Sequence, residues 1–171
     1  MAVIGGIFAL RNMGRLDRRL TFIIGLSLTT TFHILISIAS NVLPAGNAAR
    51  PLVILLLTVG FVLSMQGFLN VAVWAWLAEI FPLQIRVTAF GVAAAFGWVA
   101  NGLVSLFFPS LVSGVGMTLT FLIFAGIGVL VLAFVIFTVP ETRGRTLEEV
   151  EAGVLTGTIF PRRTKINVIS R

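Results

Sequence analysis

Asn70-Val71-Ala72-Val73-Trp74-Ala75-Trp76-Leu77-Ala78-Glu79-Ile80-Phe81-Pro82-Leu83-Gln84-Ile85-Arg86 is the stretch on which the reading of this chain turns. An apolar run arrives at Glu79, a short break holding Pro82 closes at Arg86, and a second apolar run starts at once and continues through Asn101. Pro82 cannot extend the first run as helix, because it lacks an N–H and its ring clashes with the preceding turn. Glu79 and Arg86 stand at the two run ends, where charge can reach headgroups or an opposite charge instead of hydrocarbon. The stretch reads as two membrane helices joined by a tight polar turn.

Composition widens that reading to the whole chain. Of 171 residues, 58% are hydrophobic and 11% charged, and the mean hydropathy is +1.09. So few charges could not cover so much apolar surface in a water-soluble domain. With no cysteine there is no disulfide framework and no thiolate metal site. The net charge of +6 does not point to nucleic acid, because the basic residues fall between and after the apolar runs.

Working outward, residues 1–10 form an apolar stub, shorter than the roughly 20 residues a membrane helix needs. Its positive charges follow rather than precede it, unlike a signal peptide, so it reads as the end of a helix whose beginning is missing. Residues 11–19 form a basic loop. Apolar segments of spanning length follow at about 20–40, 52–80, 87–110 and 116–139, and a polar tail fills 140–171. The second, at 29 residues, exceeds a perpendicular crossing, so tilt or a local break is expected. A turn through Pro109 and Gly114 separates the third from the fourth. The expected fold is an all-α membrane protein with four complete transmembrane helices and one truncated helix. The first, third and fifth connections carry 11 of the 12 basic residues, which puts them and the C-terminus in the cytoplasm. The chain is thus expected to be a multi-pass protein of the cell membrane, with the lipid bilayer as its first partner.

Gln66, Asn70 and Trp74 recur at intervals of four and so share one helix face. Amides in hydrocarbon are costly unless paired. From spacing alone, interhelical hydrogen bonding and a solute-facing stripe are equally open. Trp98, Asn101 and Ser105 repeat the pattern on the next segment, beside Gly91, Gly97 and Gly102, whose small size suits close helix contact. His33, the single histidine, lies well inside the first complete span. Hydrogen bonding to a neighbouring helix is its expected role, with a proton relay as the sharper reading. No carboxylate pair, metal cluster or nucleophile–base set suggests an enzyme, a cofactor or a metal site.

Trp74, Glu79, Pro82, Arg86, Gly91, Trp98 and Asn101 together resemble the segment joining the tenth and eleventh helices of sugar porters in the major facilitator superfamily. Pro140-Glu141-Thr142-Arg143-Gly144 followed by Leu147-Glu148-Glu149 is similar to the signature after the last helix of that family, and Gly14-Arg15-Leu16-Asp17-Arg18-Arg19 matches its gating loop in content though not in order. The resemblance implies the C-terminal portion of an alternating-access permease whose two halves enclose the solute. It implies a substrate wall of Gln66, Asn70, Trp74, Trp98 and Asn101, with Trp74 as a stacking platform. It also implies a cytoplasmic charge network of Arg15, Asp17, Arg18, Arg19, Glu79, Arg86, Glu141, Arg143, Glu148 and Glu149. The partners would be the missing N-terminal half of the transporter and a small polar solute, sugar or metabolite, with a proton as a possible coupling ion. Gly97 stands where many sugar porters carry an amide, and Asn70, Val71 and Val73 replace the usual Gly and Pro before Trp74. These departures leave room for another polar metabolite, including an organic anion. A self-contained four-helix membrane protein with a structural or regulatory role is the rival from another class. A small drug-exporting homodimer, which needs a carboxylate within the membrane, would have only Glu79 at a helix end. Independently of the resemblance, Thr146 with Glu149 three residues on predicts a capping box at the start of a short tail helix.

Overall fold

The computed structural model describes residues 17–44, 46–142, 144 and 146–157, so the N-terminal stub, Arg15, Arg143 and the end of the tail lie outside the described residues. The described chain is helical. Helix α1 is Arg18–Val42, α2 is Ala49–Ile80, α3 is Arg86–Thr138 and α4 is Leu147–Thr156. The first three are long and apolar enough to cross a membrane.

Helix α2 has 32 residues, about 48 Å at 1.5 Å per residue, against a hydrocarbon core of about 30 Å. The expected local break is a π-helical turn at Met65–Leu69, which separates α-helical segments Ala49–Ser64 and Asn70–Ile80. There the Asn70 N–H bonds the Met65 carbonyl, five residues back. Such turns widen the helix locally and alter the register of the side chains that follow. The widened turn also packs closely on α1, since a Cβ on Gly25 would lie 3.0 Å from the Leu69 nitrogen.

Helix α3 contains the third and fourth segments and shifts the turn between them. The sequence puts a turn through Pro109 and Gly114, whereas the helix runs on through both and turns at Gly116, where the fourth segment is expected to begin. Its one non-helical residue is Gly116, at φ 82° and ψ 163°, a conformation that a residue with a Cβ avoids. Phe108 and Phe124 are about 24 Å apart along a straight helix, but their ring centroids are 6.2 Å apart. Phe121 is equally near Phe108. Helix α3 therefore folds back at Gly116 into two arms. Proline is tolerated within apolar helices where neighbouring groups satisfy the freed carbonyl, so the reversal falls on the residue able to take positive φ.

Helix α1 is the hub. Phe22 and Leu26 are buried with Ala72 of α2 and Val135 and Val139 at the end of α3, and Ile23, Leu69, Val73, Trp76 and Leu132 pack round them. Near the other end of α1, the Ser37 hydroxyl donates to the Thr118 carbonyl at 2.8 Å. The tail then returns across the base of α2. Thr146 and Glu149 form the expected capping box, and Val150 of α4, 1% exposed, packs on Ile80 with Trp76, Phe81 and Val154.

Candidate functional site

Helices α2 and α3 meet across the tight turn at Pro82, and their facing sides enclose a cleft of about 420 Å³. Its walls hold all five residues expected to face a solute: Gln66, Asn70 and Trp74 from α2, and Trp98 and Asn101 from the first arm of α3. Met65, Val73, Leu77, Ala93 and Gly97 supply the apolar remainder. The local cause is the helical period: residues four apart on α2 stack on one face, and residues three or four apart on α3 do the same.

The two walls differ. On α2 the polar groups form a ladder. The Trp74 indole N–H donates to Asn70 Oδ1 at 2.7 Å, and Asn70 Nδ2 donates to Gln66 Oε1 at 2.9 Å. Spacing left interhelical bonding and a solute-facing stripe open; the structure instead pairs these side chains with one another along their own helix. On α3, Trp98 is 67% exposed and Asn101 is also exposed. Phe90 at the foot of α3 meets the Trp74 ring at 5.7 Å between centroids and 46° between planes. The sequence reading missed Phe90; its place one turn into α3, next to the turn that pairs the helices, was the available signal. Gly97 adds no polar side chain to the cleft.

A second cluster of polar groups ties the chain together near the Pro82 turn. Arg18 sets Nε and one terminal nitrogen on Glu79 Oε1, at 3.2 and 3.1 Å, with side chains only 19% and 25% exposed. The Thr142 hydroxyl donates to the other oxygen of Glu79. Thr142 stands inside the Pro-Glu-Thr motif, but the motif alone named its charged neighbours. The Glu141 carboxylate accepts the backbone N–H groups of Arg18 and Arg19 at 3.0 and 2.9 Å, so it caps the start of α1, where unpaired N–H groups and the helix dipole favour an anion. Arg19 donates to the Ile136 carbonyl.

Other members of the expected network make bonds of their own. Arg86 bonds the Phe81 carbonyl at 3.2 Å and closes its own turn. Asp17 contributes its carbonyl to Thr21, through both the N–H and the hydroxyl. Glu149 is taken up by the capping box with Thr146, and Glu148 shares the first turn of α4. Glu151, which the sequence reading did not assign, accepts the Leu83 N–H at 3.5 Å. His33 is half-buried among Phe61, Phe121 and Phe124, at 4.8 to 5.9 Å between ring centroids. No metal-binding group of His, Asp or Glu is found among the described residues.

The model of one family, described as sugar (and other) transporter, matches residues 1–153. The chain belongs to that family. Among its relatives in Bacillus subtilis are YncC, named for metabolite transport, at 44% identity, and the major myo-inositol transporter IolT at 42%. Each match covers 88% of this chain, and 32% and 31% of the respective relative. In the inward-open structure of the xylose transporter XylE from E. coli, a matching region has a TM-score of 0.79 and 30% identity. That match covers 88% of this chain and 33% of the other. A further XylE structure describes a proton:xylose symporter of the major facilitator superfamily. The chain thus spans about a third of the length of these sugar transporter relatives, which are membrane transport proteins rather than enzymes.

Proposed function

We propose that this chain forms the C-terminal part of an alternating-access permease for a sugar or another small polar metabolite, with the α2–α3 cleft as one wall of the solute site. The observation that carries the reading is the convergence of Gln66, Asn70, Trp74, Trp98 and Asn101, from two helices, on one cleft. A volume of about 420 Å³ falls in the 300–1,000 Å³ usual for small-molecule sites. Aromatic faces beside amides suit a polyol, whose C–H faces stack and whose hydroxyls bond.

In this reading α1, α2 and the two arms of α3 make four crossings. The base that holds Arg18, Glu79 and α4 faces the cytoplasm, because 11 of the 12 basic residues fall on that side. The opposing wall comes from an N-terminal half, as in transporters whose site lies between two repeats. The relatives named for myo-inositol and xylose favour a polyol or pentose as solute, and the proton:xylose symporter favours a proton as coupling ion.

The test is uptake of radiolabelled myo-inositol and D-xylose into vesicles. One set carries this chain alone, and a second carries a chimera in which the chain replaces the matching third of IolT. The chimera is expected to transport and the chain alone to match empty vesicles. Uptake by the chain alone would overturn the need for a second half. A folded chimera that transports neither solute would overturn the polyol reading.

A further inference from the structure

The ladder on α2 has a direction, and one residue sets it. An indole N–H can only donate, so the atom of Asn70 that faces Trp74, 2.7 Å away, must be its carbonyl oxygen. The Asn70 NH₂ group then points the other way and donates to Gln66, 2.9 Å distant. An amide receiving a donor must present its oxygen, so Gln66 is left with its NH₂ group uncommitted within the ladder. The order Trp74 to Asn70 to Gln66 therefore follows from the chemistry of the indole, and the orientation of neither amide is arbitrary. All three residues line the cleft. Gln66 stands in the π-helical turn and Asn70 opens the α-helical segment after it, so the ladder spans the one place where the register of α2 changes.

We propose that Asn70 is a positioning residue that locks the Gln66 amide with its NH₂ group toward the solute, so that this subsite accepts solutes presenting a hydrogen-bond acceptor oxygen there. The inference rests on the cleft being the solute site and sharpens it into a polarity. Gln66 is the donor, Asn70 sets the donor's orientation, and Trp74 sets that of Asn70. A hydroxyl, ether or carboxylate oxygen satisfies the subsite, while a group that can only donate leaves two N–H groups facing it.

Two measurements test this, one of them independent of any solute. The chain in lipid nanodiscs, labelled with ¹⁵N-indole tryptophan, gives signals from Trp74, Trp76 and Trp98 that Trp→Phe variants assign. The Trp74 N–H signal is expected to move upfield and exchange faster with solvent in Asn70→Leu, and to hold its position in Gln66→Leu. An unchanged Trp74 signal in Asn70→Leu overturns the ladder.

The second measurement is equilibrium binding to the chimera of myo-inositol, its deoxy analogues and its deoxy-fluoro analogues. At the hydroxyl that meets Gln66, deoxygenation is expected to weaken binding about 3- to 10-fold, the range of one hydrogen bond. Fluorine, which accepts and cannot donate, should restore part of that loss. The gap between the two analogues should close in Gln66→Leu and shrink in Asn70→Leu, which a merely structural Asn70 would not do. Equal losses for deoxy and fluoro analogues at every position overturn the assignment of Gln66 as donor. If no inositol binds while the indole signals behave as expected, the polyol reading fails and the ladder stands.

Discussion

Two levels of helix α2, its Pro82 end and the cleft at residues 65–77, carry polar chemistry and use it in opposite ways. At the Pro82 end, Glu79 has both oxygens occupied, by Arg18 and by Thr142, and Glu141 is spent on the backbone of α1. The groups meeting there come from α1, α2 and the tail, and they are half-buried or buried. At the cleft, the α2 amides pair with each other and with Trp74 along their own helix, whereas Trp98 and Asn101 opposite them stand exposed. The first arrangement joins distant segments and resists opening. The second keeps each helix self-sufficient and leaves a gap between them. In the permease proposed above, the first would act as a latch and the second as the face whose groups exchange partners with solute.

The largest expected effect tests whether the Ala49 and Pro82 ends of α2 face opposite sides of the membrane. Because the chain has no cysteine, single cysteines report cleanly. Ala48→Cys and Ser113→Cys should react with an impermeant thiol reagent added outside intact cells, and Thr156→Cys should not. Labelling at position 156 would invert the orientation.

Next comes the latch. Glu79→Gln keeps the shape but removes the charge that Arg18 pairs with. A hydrogen bond to a charged group is worth about 1.5–3 kcal/mol, reduced here because both side chains keep some contact with solvent. Thermal unfolding in detergent should show a loss of about 1–2 kcal/mol, with solute affinity of the chimera changed less than twofold. A larger fall in affinity than in stability would erase the contrast between the Pro82 end and the cleft. Glu141→Gln should cost less, about 0.3–1 kcal/mol, as loss of an anion at a helix N-terminus does. Raising the salt concentration should shrink that difference, and an effect insensitive to salt would point to the shape of the cap rather than its charge.

These same regions mark how far the sequence could be read. The cleft was legible because its residues are local: a period of four puts Gln66, Asn70 and Trp74 on one face, and a short turn folds the next helix against it. The capping box was legible for the same reason, since Thr146 and Glu149 are three residues apart. The reversal between the third and fourth segments was legible to within a few residues, but not the residue that makes it, because positive φ at Gly116 is fixed by how the two arms pack. Nor was the destination of Glu141. Its motif marks it as special, but the backbone it caps lies 123 residues away, and nothing local encodes that pairing. Arg86 entered the expected network through the family resemblance, and the bond its Nε makes, to the Phe81 carbonyl five residues back, was not foreseen.

The central claim is that the α2–α3 cleft binds solute, and it is tested most directly by coupling across that cleft. Myo-inositol affinity and detergent stability are measured in the chimera for the unsubstituted form, Trp74→Phe, Asn101→Leu and the double variant. Trp74→Phe should weaken binding about 10-fold, or about 1.4 kcal/mol, through lost ring area and release of the Asn70 carbonyl. Coupling between the two sites should be about 0.5–1 kcal/mol with myo-inositol bound and near zero in its absence. If Trp74→Phe lowers stability but leaves affinity unchanged, and the two substitutions add independently with solute present, Trp74 only packs the bundle and the solute site lies elsewhere.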